Sequence, residues 1–268
     1  MIPENVRRFA EDPGSWGEIP AESALTRILT DRYCLIRGPV PTFTSVSRLR
    51  LDPECLAEVI AEVRERVTKA GHREAMWWIG PSATPNDLVD RLRAHGLVPD
   101  ERPGSEPHST SMVLTDEPPA APADVVARRV RTFEEFFRAG RIADVAFGAS
   151  EADAKAYEAI AEESFAREQA GHSPRTYLAF VDGEPVGTGR ALFAADCPAV
   201  LMIGGGVLAG ARGRGVYRAL ARARWDDAVA AGTPALCVHA GAMSRPILER
   251  LGFQAVAEQE IFLDPATA

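Results

Sequence analysis

The chain has 268 residues, of which 46% are hydrophobic and 25% charged, the balance of an ordinary globular protein and enough length for two domains. No uncharged apolar run reaches the ~18–20 residues of a membrane span, and the N-terminal stretch lacks the apolar core of a signal peptide, so a cytoplasmic protein without membrane contact is expected. The net charge of −8 disfavours nucleic acid as a partner. Cys34, Cys55, Cys197 and Cys237 are scattered without a C-x-x-C pair, so neither a disulfide framework nor a metal site is expected.

In chain order, residues 53–70 carry helical periodicity, with Asp52 placed to cap the helix and Pro53 at its first position. An apolar strand follows at 75–79, where Trp77 and Trp78 must point to opposite faces and are read as packing residues. A helix at 88–95 stops at Gly96, and 110–114 is a strand. The stretch TDEPPAAPADVV is rich in proline, which cannot donate the hydrogen bonds of a helix or sheet interior. It divides the chain into 1–117, a linker 118–126, and 127–268.

Beyond the linker the pattern predicts a strand at 125–131, helices at 132–147 and 151–169, and strands at 175–181 and 185–193 joined by Asp182-Gly183, a hairpin signal. A third strand at 199–208 runs into a glycine-rich turn. Then come a helix at 216–231, a strand at 235–238, a helix at 244–251 stopped by Gly252, and a strand-like ending at 253–263. The sequence of elements is mixed α/β. Its last part is repeated in the N-terminal half, with Gly71 answering Gly232 and Gly96 answering Gly252; the alternative is two unrelated α/β domains.

The most informative stretch is GGGVLAGARGRGVYRAL, residues 204–220, where a strand passes through Arg212, Gly213, Arg214 and Gly215 into a helix. Such a junction aims backbone N–H groups and the positive helix end at one spot, which favours an anion, and glycines let the backbone approach it. Neither the Walker pattern nor G-x-G-x-x-G is present in this loop, which argues against a nucleoside triphosphatase or a nicotinamide dehydrogenase.

The loop resembles that of the GNAT superfamily of acyl-coenzyme A-dependent N-acyltransferases, whose signature R/Q-x-x-G-x-G/A is met at Arg212 and Gly215 and departed from at Tyr217. The later Leu251-Gly252-Phe253 is also typical, and the resemblance covers the second half of the chain. It implies two GNAT-like mixed-sheet domains in tandem, the N-terminal one degenerate, because residues 49–53 hold no glycine and Asp52 occupies the phosphate position. It further implies acetyl-CoA as co-substrate, with Arg212, Gly213, Arg214, Gly215, Val216, Tyr217 and Arg218 at the pyrophosphate and Gly206 and Val207 at the pantetheine and thioester. The acetyl group would pass directly to an amine of a small molecule or peptide, and a homodimer is compatible with it.

The family's usual proton carriers are missing. The strand LMIGGGV has no carboxylate, and Leu248 stands where the resemblance places a tyrosine acid. His239 is the candidate catalytic residue, against a second reading as a strand-end histidine bonded to backbone. Ser244 either contacts the coenzyme or caps a helix, and Glu162 and Glu163 either line the acceptor site or are solvated surface. The missing groups leave open an acyl-CoA sensor that binds without turnover.

Overall fold

The computed structural model describes residues 1–19, 23–40, 43–102 and 105–265. Among the described residues, twelve strands form one sheet in the order β1-β2-β3-β4-β12-β6-β11-β10-β9-β8-β7, with β5 (Val98–Pro99) on β12. The N-terminal half supplies β1 (Thr26–Leu29), β2 (Cys34–Arg37), β3 (Thr44–Ser47), β4 (Ala75–Ile79) and β6 (His108–Leu114). The C-terminal half supplies β7 (Val125–Arg129), β8 (Arg175–Val181), β9 (Glu184–Leu192), β10 (Val200–Val207), β11 (Leu236–Ala240) and β12 (Gln254–Asp264).

The two halves share one topology. β3 and β4 are parallel, as are β10 and β11, whereas the remaining neighbours in the sheet are antiparallel. Each half lends its last strand to the other. β6 lies against β11, β12 lies against β4, and the pair meet each other at the centre.

One face of the sheet carries α2 (Leu56–Lys69), α3 (Leu88–Ala94), α7 (Val216–Ala230) and α8 (Arg245–Arg250), and the other carries α1 (Glu4–Glu11), α4 (Phe133–Phe147), α5 (Glu151–Ala159) and α6 (Ala161–Gln169). Trp77 is buried in the core under α2 and α3, and Trp78 faces the opposite layer, as strand alternation requires. Arg64 of α2 holds the buried Asp264 at the end of β12, a further tie between the halves. Two of the cysteines, Cys34 and Cys237, are buried, and all four are free.

Most boundaries follow the periodicity, with three physical differences. α2 starts at Leu56 because 53–55 form a turn closed by Cys55 N–H on the Asp52 carbonyl, so Asp52 is not the cap of the helix. The helical stretch after residue 150 breaks at Ile160 into α5 and α6. The short β1 to β3 and α1 carry too few residues for a period to show.

Strand exchange makes a prediction. A chain ended at Gly252 loses β12, the shared neighbour of β4 and β6, and both halves then lose their native near-UV circular dichroism. A surviving Trp77 signal would show that the N-terminal half stands without β12.

Candidate active site: an open splay and a closed one

In the C-terminal half β10 and β11 pair only over Val200↔Leu236, Leu201↔Cys237 and Met202↔Val238. Beyond Met202 the two strands part, and β10 carries a bulge between Ile203 and Gly206 with Gly204 at φ 58°, a conformation that favours glycine. The three glycines thin the strand, so both helical layers press on it. A Cβ on Gly205 would lie 2.9 Å from Tyr217 Cε2, and one on Gly206 would lie 2.7 Å from Ala146 of α4.

Past Val207 the loop enters α7 through Gly213 and Gly215, both at φ 78°. α7 has no side-chain cap, and its first backbone bond runs from Ala219 N–H to Gly215 O at 3.0 Å. Among the described residues, the N–H groups of 213–218 have no acceptor within the chain. This row of free donors at a positive helix end fits a pyrophosphate. Beside the loop lies a cleft of about 400 Å³, lined in part by Asp182, Val186, Leu208 and Arg214.

Gly206, Val207, Arg212, Gly213, Arg214, Gly215, Val216, Tyr217 and Arg218 thus lie together along the strand end and helix start. Their side chains differ in use. Arg214 reaches Asp124 at 3.2 Å and Asp182 at 3.4 Å, and Arg212 Nε donates to the Val207 carbonyl. The buried Nε of Arg218 has no partner among the described residues. Tyr217 turns away from the loop, onto Gly205 and the core beneath α7. The stretch 117–124 runs along the helix, with Glu117 on Arg222 and Pro122 against Gly215.

His239 lies on the opposite face of the sheet. Its Nε2 bonds the Ala10 carbonyl at 2.9 Å, and its ring stacks on Trp78 with centroids 5.0 Å apart. A carbonyl only accepts, so Nε2 carries the hydrogen, and burial pulls the imidazole pKa below its ordinary value. This is the backbone bond of the second reading, and it leaves Nδ1 as the remaining nitrogen. Ser244 Oγ donates to Gly241 O at 3.3 Å, while the turn before α8 is met from the other half by Glu106, which accepts Ala242 N–H at 2.6 Å. Glu162 is exposed, and Glu163 is exposed and paired with Arg167 within α6. Leu248 is wholly buried in the core.

Three residues at this site escape sequence reasoning. Glu168 on α6 is 3% exposed; its Oε1 accepts the Thr176 N–H at 2.7 Å, its Oε2 has no partner among the described residues, and burial raises its pKa. Arg190 reaches over Gly204, with Nε and Nη2 each 3.5 Å from where a Cβ would stand. Arg224, fully buried on α7, sits two turns after Tyr217, and a charged residue in that apolar stripe is the one signal the sequence offered.

The N-terminal half repeats this layout with the splay shut. Ser45↔Met76 and Val46↔Trp77 pair as Leu201↔Cys237 and Met202↔Val238 do, which places Arg48 (φ 52°) at the position of Gly204. There the residues after β4 fold back into the gap. Thr84 N–H bonds Leu49 O at 3.1 Å, and Leu51 N–H bonds Thr84 O and Oγ1. Asp12 Oδ1 accepts the Arg48 N–H at 2.9 Å, and Glu11 accepts the Ser82 N–H. The turn 52–55 replaces the loop 208–215, so α2 is entered without the glycines that open the way to α7.

No family model and no curated protein sequence matches the chain. Solved structures do match. A GCN5-related N-acetyltransferase from Kribbella flavida superposes with TM-score 0.69 at 18% identity over 97% of this chain and 95% of its own. A tandem GNAT protein from the clavulanic acid biosynthesis pathway gives 0.59 at 18% identity over 98% and 88%. A GCN5-related N-acetyltransferase from Sphaerobacter thermophilus gives 0.60 at 18% over 88% and 81%. At such identities the likeness is one of fold, and it defines the class: the chain has the GCN5-related N-acetyltransferase fold, used twice in tandem. The open splay and the glycine-bearing loop that leads from it into a helix lie in its C-terminal half.

Burial, reinforced by Glu11, pushes the Asp12 carboxyl from 3.8 up to about 6. A raised carboxyl favours the folded state below its unfolded pKa, and that contribution is lost as pH climbs through the folded value. Asp12→Asn, which still accepts the Arg48 N–H, is therefore expected to gain on the parent by about 2–3 kcal/mol between pH 4 and pH 7. Urea unfolding at several pH values checks this, and a constant difference would contradict it.

Proposed function

We propose that the protein is an N-acetyltransferase that moves an acetyl group from acetyl-CoA directly to a primary amine of a small molecule or peptide. One observation carries the reading: an uncapped helix start with free N–H groups at 213–218 lies directly beyond the strand that splays from its parallel neighbour. The backbone of 213–218 and the Arg218 guanidinium would hold the pyrophosphate, and β10 from Gly206 to Val207 would hold the pantetheine arm. Bound there, the coenzyme supplies an acyl carbon activated as a thioester.

The chain's own part is positioning and proton handling. The strand end near Val207 offers a backbone N–H to the carbonyl oxygen as it gains charge. The amine would enter from the layer of α1 and α4 to α6, into which Arg190 of β9 and His239 of β11 project and where Glu168 of α6 meets β8. His239 serves as a proton acceptor only through Nδ1, because Nε2 is committed to Ala10.

The test uses Gly213, where a Cβ would meet nothing within 4 Å. Gly213→Asp places a carboxylate among the donors, and Gly213→Asn places a neutral side chain of the same shape. Both residue types tolerate a left-handed conformation. A like charge at this range costs on the order of 2 kcal/mol, so calorimetry should show acetyl-CoA binding weakened about thirtyfold by Asp relative to Asn. Equal affinities in the two variants would remove the loop from the coenzyme site.

A further inference from the structure

We propose that Tyr217 gives the proton to the thiolate that departs in this transfer, and that Arg224 is the positioning residue that holds it for the task; the inference rests on the function proposed above. The starting point is a charge without a counter-ion. Arg224 is 0% exposed in the core between α7 and the sheet, and among the described residues no carboxylate lies within ion-pair distance. Its Nε donates to Leu220 O at 2.9 Å and its Nη1 reaches Arg190 O at 3.4 Å, but Nη2 has no partner. Burying an unpaired guanidinium is costly, and burial pulls its pKa down. A site that keeps such a charge is built to face negative charge that arises transiently.

Two phenols act on Arg224: Tyr177, whose hydroxyl already donates to Asp227 at 2.7 Å, and Tyr217, which lies at the splay. The Arg224 guanidinium lies 5.8 Å from the centre of the Tyr217 ring, within cation–π range. The ring edge rests on Gly205, where a Cβ would lie 3.4 Å from the phenol oxygen, and only glycine leaves that room. Gly205 belongs to the part of β10 that has already left β11. No carbonyl or carboxylate among the described residues takes the Tyr217 hydroxyl proton, and the residue is half-buried. Leu248, on the same face of the sheet, has no proton to give.

The proton balance is complete. The amine nitrogen gives its lone pair to the thioester carbon, the carbon–sulfur bond breaks with its electron pair going to sulfur, and the Tyr217 hydroxyl passes its proton to that sulfur. The phenolate left behind faces the Arg224 guanidinium until it recovers a proton, through solvent, from the ammonium formed on the acceptor. The products are the acetamide and free coenzyme A thiol.

The experiment needs no acceptor. Calorimetry at pH 9, where much of a free thiol is ionised, compares coenzyme A with desulfo-coenzyme A on the parent protein and on Tyr217→Phe, which keeps the ring. A phenol that meets the sulfur makes the parent prefer coenzyme A by about tenfold, and the preference disappears in the Phe variant. An unchanged preference in Tyr217→Phe, or none in the parent, overturns the proposal. A parent that binds neither ligand overturns the acetyltransferase reading instead. Arg224→Met is expected to lose the preference while still binding the desulfo analogue; a preference kept intact removes Arg224 from the proposal.

Discussion

The antiparallel pair of β6 and β12 is the contact on which everything else hangs. Each strand belongs to one half by sequence and completes the other half's sheet, so the hydrogen bonds at the centre are also the bonds that close each domain-like unit. Unlike two beads on a linker, the halves cannot tilt without breaking a ladder. α1 lies beneath this seam, fixed by its Ala10 carbonyl to His239 and its Glu11 carbonyl to Gln259, the latter also bonded to Ser111 across the β6/β12 join. The position of His239 follows from this: it faces the helix that seals the seam, and the stacked Trp78 comes from the other half.

A shared frame makes the difference between the halves informative. Both have a parallel strand pair that parts after the same register and a left-handed residue just beyond it, yet only one gap stays open. In the N-terminal half the segment after β4 is long enough to return and fill the gap, where it satisfies the Leu49 carbonyl and the Leu51 N–H. In the C-terminal half Glu106 occupies the turn after β11, and the strand edge and helix start keep their donors. The closed gap holds Arg48 in a conformation that glycine adopts freely, a strain its bond to Asp12 helps to offset.

Much of this was legible in the sequence, and what was not has identifiable causes. The loop from Arg212 to Arg218, its strand and its helix could be placed because glycines and periodicity are local signals. The repeat of helix, glycine stop and strand disclosed the tandem layout. The exchange of β6 and β12 leaves no trace in the sequence, because an outer strand has the same alternation whichever neighbour it pairs with. Glu168, Arg190 and Arg224 were invisible for a related reason: burial of a charged side chain depends on residues distant along the chain, and only Arg224 disturbs an apolar stripe enough to be noticed. Asp52 shows the reverse error, where a good capping residue precedes a turn, closed by Cys55 N–H on the Asp52 carbonyl, and the helix begins only at Leu56.

The run Gly204, Gly205 and Gly206 ties these points together. Alternation sends the missing side chains of Gly205 and Gly206 to opposite faces, and each gap is filled from the layer it faces, by Tyr217 of α7 on one side and by Ala146 and Phe147 of α4 on the other. Gly204 adds the left-handed turn that bends the strand away from β11, with Arg190 over it. A strand this thin allows groups from both faces of the sheet to reach the same few backbone atoms, Tyr217 of α7 from one and Arg190 of β9 with Ala146 and Phe147 of α4 from the other. Side chains that meet there come from elements far apart along the chain, which is why they are not gathered into one motif.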